Sequence, residues 1–277
     1  MAAFSSIAPF YDALADKAGR LEREGPVLRR VLDAAAGRRV LDLACGTGLH
    51  ALFLAEAGAA VTAIDVSAAM IDYACRVRPH PKITYRVRDM RDAEGGPYDL
   101  ALCLGNSLSL LADEDHLKAV FARLRLVLAP GGLFLAHVLN YAAAVAQEAR
   151  HRVERAVVED MPVVAVKNLV PDGAHTFLSL SFFFETREEA EEDLRSGTLS
   201  PRERVGVRVE DDGRDARAPW TGIAETAVLR NWSVEDLTRA ARRYGLVARD
   251  IFGAFDGRSY EPETSPDLLV LFAAETR

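Results

Sequence analysis

From Arg39 to Leu139 the chain alternates between short apolar runs and longer segments whose apolar positions recur every three or four residues. Runs this apolar are buried on both faces, so each reads as a strand in a covered sheet. Strands are predicted at Arg39–Ala44, Ala60–Asp65, Ile83–Arg88, Tyr98–Leu104 and Leu133–Leu139. One helix is predicted over Leu49–Ala57, closed by Gly58, and a second runs from a Ser67 cap to about Val77. A third covers Asp113–Leu128 and is stopped by Pro130-Gly131-Gly132. This alternation predicts a doubly wound parallel sheet with right-handed crossovers.

Residues 150–231 break the rhythm. Pro162–Val170, His175–Glu185 and Gly222–Trp232 are rich in β-branched and aromatic residues without helices between them, the pattern of an antiparallel insert. Glu185–Pro219 is dense in charge of both signs and reads as a solvated loop or hairpin. Helical spacing returns over Val234–Tyr244, capped by Ser233 and closed by Gly245; strands follow at Leu246–Ala254 and Asp267–Ala273. The expected division is an N-terminal helical lid (1–37), a core (38–150 and 232–277) and an antiparallel β insert (151–231).

Composition narrows the classes. Of 277 residues, 49% are hydrophobic and 27% charged, which places the chain among ordinary globular proteins. A net charge of −7 argues against a long basic surface, so no nucleic-acid partner is expected. The three cysteines, Cys45, Cys75 and Cys103, lack C-x-x-C spacing, which argues against a disulfide scaffold or zinc knuckle. The first residues have no basic region and carry Asp12 and Asp16 early, a poor export signal. No apolar stretch reaches the ~18 residues of a membrane span. A cytoplasmic location without a membrane partner is expected, and a homo-oligomer is left open.

The candidate chemistry begins at Gly46-Thr47-Gly48-Leu49-His50-Ala51, a G-x-G-x-x-A pattern between a buried strand and a helix. Glycines there let a ligand approach the backbone, but the pattern alone also fits dinucleotides. Asp42, four residues earlier on the strand, changes the picture. An acid at that point can hold the ammonium of a methionine moiety, directly or through water, and would repel a pyrophosphate. The alternative is a solvated strand-end carboxylate, which the flanking Leu41 and Leu43 disfavour. Asp65 ends the next strand, where a carboxylate can accept from both ribose hydroxyls; that feature is shared with NAD-binding proteins.

Five segments in order complete a resemblance: V40-L-D-L-A-C-G-T-G48, I64-D-V-S-A-A-M70, R88-D-M90, Y98-D-L-A-L-C-L104 and L128-A-P-G-G-L-F134. The chain resembles the class I S-adenosylmethionine-dependent methyltransferases over residues 38–140, and loosely over its last helix and hairpin. The resemblance implies an α/β Rossmann-like, seven-stranded sheet with an antiparallel last strand. It implies S-adenosyl-L-methionine at the strands' carboxyl ends and S-adenosyl-L-homocysteine as product; no metal is expected, because no two of the six histidines sit at a metal-ligand spacing such as H-x-x-x-H. By the same carry-over Gly46, Thr47 and Gly48 pass under the cofactor, and Asp65 with Val66 binds the ribose. Asp89 accepts from the adenine amino group, the Met90 amide pairs a ring nitrogen, and Leu104 lies beneath the methionine part. A loop-capping acid at Asp89 and a core-filling Met90 are the plain alternatives.

On the substrate side, C103-L-G-N-S-L108 and H137-V-L-N-Y141 are similar to glycine and glycine/sarcosine N-methyltransferases, whose second motif reads D-H-R-N-Y. Asn106, Asn140 and Tyr141 are carried over as substrate-binding, with a turn residue as the alternative for Asn106. The family's carboxylate-clamping arginine falls on Leu139, so glycine is not the expected acceptor. A larger or less anionic small molecule is expected, unless another arginine such as Arg230 supplies the charge. Tyr11 belongs to the lid and is a candidate for contact with the sulfonium, against a simple packing role. His137 is the one candidate base, against a structural histidine. The expected reaction is in-line methyl transfer to a nitrogen of a small molecule. An O-methyltransferase is the nearest alternative; an NAD-dependent oxidoreductase and a non-catalytic binding protein have less support. No G-x-S-x-G elbow supports hydrolase chemistry.

Overall fold

The computed structural model describes residues 7–17, 19–145, 149–158, 160–185 and 220–276. Two helices come first, α1 (Ala8–Lys17) and α2 (Arg20–Ala34). The alternating region follows as β1 (Arg39–Leu43), α3 (Leu49–Glu56), β2 (Ala60–Asp65), α4 (Ala68–Val77), β3 (Ile83–Val87), β4 (Tyr98–Cys103), α5 (Glu114–Val127) and β5 (Leu128–Leu139). A short α6 (Tyr141–Val145) leads into β6 (Arg150–Val158), β7 (Met161–Asp172), β8 (His175–Glu185) and β9 (Trp220–Arg230). The chain closes with α7 (Val234–Arg242), β10 (Leu246–Phe252) and β11 (Asp267–Ala274). The charged run expected as a loop after Glu185 lies outside the described residues. Among the described residues, no helix is long and apolar enough to cross a membrane.

Seven strands form one sheet in the order β3-β2-β1-β4-β5-β11-β10. β1 through β5 pair in parallel, and β11 inserts antiparallel between β5 and β10. Helices cover both faces, which is why the central strands β4, β5 and β11 are largely apolar and buried. On one face α5 and α7 pack Phe121, Leu124 and Leu237 against Phe134 and Phe272. On the other, α2 and α3 pack Leu28, Val31, Ala51 and Leu54 against β1, β4 and β5. Local caps set the helix starts: Ser67 Oγ accepts from the Met70 amide at 3.2 Å, and Ser233 forms a reciprocal capping box with Asp236.

Two expectations change. Pro130-Gly131-Gly132 does not separate helix from strand; β5 begins at Leu128, pairs with Tyr98, and then slips register so that Leu133 meets Leu100. The turn residues are thus absorbed as an irregularity inside a strand already anchored by tertiary pairing. The insert also has a strand beyond the three expected. β6 reads Arg-His-Arg-Val-Glu-Arg at its start and is exposed there, so its charged edge hides the strand pattern.

β6 to β9 form a separate antiparallel meander in sequential order. The inner face of this second sheet is closed by the start of the chain. Ile7 and Phe10 pack against Val163, Phe182, Phe184 and Ile223. The Phe10 ring stacks 5.1 Å from Phe184 and lies 5.4 Å from Phe182. From the same helix, Asp12 takes both arms of the Arg78 guanidinium at 2.8 and 3.1 Å, and Arg78 also donates to the Thr47 carbonyl at 3.1 Å. Helix α1 therefore joins the insert to the glycine loop of the main sheet.

Candidate active site

The carboxyl ends of β4 and β5, the inner face of the insert, helices α1 and α2 and the loop before β11 enclose a cavity of about 940 Å³. That volume lies at the upper end of small-molecule sites, which run to roughly 1,000 Å³. Tyr11, Arg20, Asn106, His137, Leu139 and Lys167 are among its walls.

At the glycine loop the backbone takes left-handed conformations at Ala44, Gly46 and Gly48. A Cβ at Gly46 would meet nothing within 4 Å, so that position borders open space. A Cβ at Gly48 would lie 2.5 Å from the Tyr85 hydroxyl, so there only glycine fits. Asp42 lies beneath this loop, 1% exposed, and its Oδ2 has no hydrogen-bond partner among the described residues. Burial, reinforced by the charge of Asp65, pushes its pKa up to about 7 while Arg20 opposes the shift. A buried carboxylate without a partner is costly unless a cation completes it. The Asp65 carboxylate organises the loop: Oδ2 accepts from the Gly46 amide and Oδ1 from the Ser67 amide, both at 2.9 Å. The Val66 amide also bonds this carboxylate, which still has acceptor capacity for a hydroxyl among its roughly four sites.

The other residues carried over as cofactor-binding are placed variously. Thr47 is buried in the loop, Leu104 is buried directly after β4, and Val66 is 54% exposed beside Asp65. Asp89 caps a short turn over Met90–Asp92, accepting from the Arg91 amide at 2.8 Å. The Arg91 guanidinium grips the same carboxylate at 2.9 and 2.6 Å and holds its pKa below the usual value. The loop-capping role is therefore the one visible in the contacts, and an adenine amino group would share an already paired acid. Met90 is half-buried against the core beside α5.

The substrate-side expectations need correction in several places. Asn140 does not reach the cavity. Its Nδ2 donates to the Pro262 and Ser265 carbonyls, both at 2.8 Å, and its Oδ1 accepts from Tyr260 at 2.9 Å, so it fastens the loop before β11. Tyr141 is buried and bound to Asn106, whose Nδ2 donates to its hydroxyl at 2.8 Å. Asn106 does line the cavity, in a left-handed turn, but its Oδ1 already accepts from the Leu139 amide at 2.9 Å and Ser109 Oγ at 3.0 Å. One carboxamide N–H is left for a ligand. Arg230 does not line the cavity; it lies 3.5 Å from His175 and over the Trp232 ring at 5.6 Å. It cannot supply the charge missing at Leu139. His137 Nδ1 accepts from the Gly105 amide at 3.2 Å and its Nε2 faces Asp267 at 3.0 Å. The backbone donor requires the proton on Nε2, leaving no free lone pair, so the arrangement fits a residue that fixes the β4 turn rather than a base.

Motif reading missed a second cluster. Arg20 Nε binds Glu24 Oε1 at 2.9 Å, and Glu24 Oε2 meets His50 Nε2 at 2.6 Å. The His50 and Arg20 partners hold Glu24 at a pKa of about 2 against the opposing effect of burial. Arg20 in turn hydrogen-bonds Tyr11, so the lid tyrosine is held by a guanidinium inside the cavity. A basic residue four positions before an acid on a helix was the only local signal, and such pairs are usually surface features.

Comparison with known proteins agrees with this architecture. Residues 40–132 match the family model described as a methyltransferase domain. The glycine/sarcosine N-methyltransferase of Halorhodospira halochloris is 35% identical over 136 residues, 47% of this chain and 51% of that protein. The chain thus spans about half the length of the curated relatives it matches. An amino pentose methyltransferase from Micromonospora echinaspora superimposes with a TM-score of 0.69 at 19% identity, covering 95% of this chain and 96% of that one. A sugar N-methyltransferase from Streptoalloteichus gives 0.70 at 19% identity, covering 96% and 92%. The matched segment is similar to a methyltransferase domain, and the sheet around it with the second sheet has the fold of these solved methyltransferases.

Proposed function

We propose that the protein is an S-adenosylmethionine-dependent methyltransferase acting on a nitrogen of a small molecule. The observation that carries the cofactor assignment is the unpartnered oxygen of buried Asp42 beneath the open glycine loop. Such a site fits an α-ammonium and disfavours a pyrophosphate. Arg20, fixed by Glu24 on the cavity wall and near enough to Asp42 to act on its charge, is a counter-charge for the methionine carboxylate, and Asp65 has acceptor capacity for ribose hydroxyls.

S-adenosylmethionine supplies a methyl group already activated on a sulfonium. The chain's own contribution is then positioning and exclusion of water. Orientation alone can provide effective molarities of ~10⁵–10⁸ M. Leu139, Leu169, Leu178 and Leu229 give the cavity apolar walls, which favour a neutral amine by desolvation. The acceptor is assigned to the Gly105–Asn106 turn, where the free carboxamide N–H can anchor a substrate oxygen while the amine keeps its lone pair for the methyl group. The names of the relatives, N-methyltransferases of glycine, sarcosine and sugars, support nitrogen over oxygen.

The test is calorimetric titration with S-adenosylhomocysteine and, separately, NAD. The expected result is binding of the former alone, weakened at least ten-fold by Asp42→Asn. Binding of NAD in preference would overturn the cofactor assignment. Methyl transfer across matched amines and alcohols then tests nitrogen against oxygen.

A further inference from the structure

The insert's inner face carries a charge that no described neighbour completes. Lys167 on β7 projects into the cavity wall among Ala165, Leu169, Leu180 and Leu229. Its direct cross-strand partners are Arg152 on β6 and Leu180 on β8. Like charges placed directly opposite destabilise a sheet, so this pairing needs a reason. Arg152 is satisfied, because its Nε binds Glu154 at 2.5 Å. Arg20 is bound by Glu24, and Arg258 by Asp256. Among the described residues, Lys167 has no hydrogen-bond or ion-pair partner. Its side chain is exposed to the cavity, where Arg152 and Arg20 both act against its charge and Glu154, already engaged by Arg152, opposes them only in part. An anion beside Lys167 would offset the repulsion from these two cations.

We propose that Lys167 anchors an anionic group, a carboxylate or a phosphate, on the acceptor whose nitrogen lies at the Asn106 end of the same cavity. The inference rests on the methyltransferase reading above and names the substrate class: amines carrying an acid. It also revises the expectation of a less anionic acceptor drawn from Leu139. The charge lost at the end of β5 is replaced by a cation on the insert wall, which moves the acid away from the nitrogen and suits a larger molecule than glycine.

The experiment uses the full chain saturated with S-adenosylhomocysteine and reads acceptor binding by calorimetry and thermal shift, without turnover. Two matched triplets serve as probes: benzylamine, 4-(aminomethyl)benzoate and 4-(aminomethyl)phenyl phosphate; and glucosamine, its uronate and its 6-phosphate. An acidic member should bind at least ten-fold more tightly than its neutral parent. The carboxylate and phosphate arms identify which anion the site takes. Lys167→Met should abolish the preference, Lys167→Arg should restore most of it, and neither should change S-adenosylhomocysteine affinity. Lys167→Gln serves if the Met variant fails to fold. Equal binding of neutral and acidic members, or binding of none, overturns the proposal. So does a Lys167→Met effect on S-adenosylhomocysteine in place of the acceptor. Failure of the wild type to bind S-adenosylhomocysteine at all would instead sink the methyltransferase reading.

Discussion

Asp42 is marked twice by its neighbours along the chain. It stands four residues ahead of Gly46, where an acid can meet a cation, and its flanking leucines predict burial. The unpartnered oxygen is a tertiary fact, produced by strands β2 and β4 closing on either side. Asp42→Asn is expected to weaken S-adenosylhomocysteine binding by roughly 10- to 100-fold, since a charge-assisted hydrogen bond is worth about 1.5–3 kcal/mol. Because ligand binding requires the carboxylate, affinity in the wild type should also fall by about ten-fold per pH unit below pH 7, where Asp42 is protonated in the free protein. Calorimetry from pH 5.5 to 8 checks both, and a flat profile would contradict the assignment. Gly48→Ala should cost at least ~1 kcal/mol in a urea melt, combining the left-handed backbone with the clash against Tyr85. Asn106, Asn140 and His137 teach the converse. Their residue types suit substrate contact, but hydrogen-bonding groups are also what a turn needs, and only their actual partners separate the two uses.

Among the elements, periodicity located the five parallel strands and the last helix and hairpin within a few residues. It failed where charge or turn residues sit inside a strand, as in β6 and at Pro130-Gly131-Gly132. Helix α1 is the element whose role depends most on long-range contacts. Its Phe10 holds the insert and its Asp12 holds Arg78, 66 positions away in sequence. Both side chains of that ion pair are largely shielded, so Asp12→Ala leaves a guanidinium uncompensated. A loss of about 3 kcal/mol is expected, together with faster hydrogen exchange in α1 and a weaker glycine-loop site. Unchanged exchange in α1 would show that Phe10 alone docks the helix. Asn140→Ala removes three hydrogen bonds from the loop before β11 and should cost about 2–3 kcal/mol, read as a shifted unfolding midpoint with the glycine loop unaffected.

Across the protein as a unit, two buried acids shape the pH dependence in opposite senses. Glu24, lowered to about 2 from 4.5, adds stability that is present above pH 4.5 and lost as pH falls toward 2. Asp42, raised to about 7 from 3.8, does the reverse: the unfolded chain ionises first, so stability drops as pH rises from about 4 to 7. At about 1.4 kcal/mol per unit, the upper bound on the Asp42 effect is ~4 kcal/mol. Urea midpoints between pH 4.5 and 8 should therefore decline in the wild type relative to Asp42→Asn. Saturation with S-adenosylhomocysteine at 100 times its Kd should add about 2.7 kcal/mol near pH 8.

The order of residues was enough to define the main sheet, the glycine loop and the acids beside it, because burial of alternating elements and ligand contact with a backbone turn are local patterns. It also placed an antiparallel insert after the fifth strand. Folding in three dimensions settled which polar side chains face the cavity and which fasten loops. It joined Arg20, Glu24 and His50 from two helices, tied α1 to Arg78, turned Arg230 away, and set Lys167 opposite Arg152 on an apolar wall. These arrangements depend on strand register and helix docking, which bring together residues whose separation along the chain carries no signal.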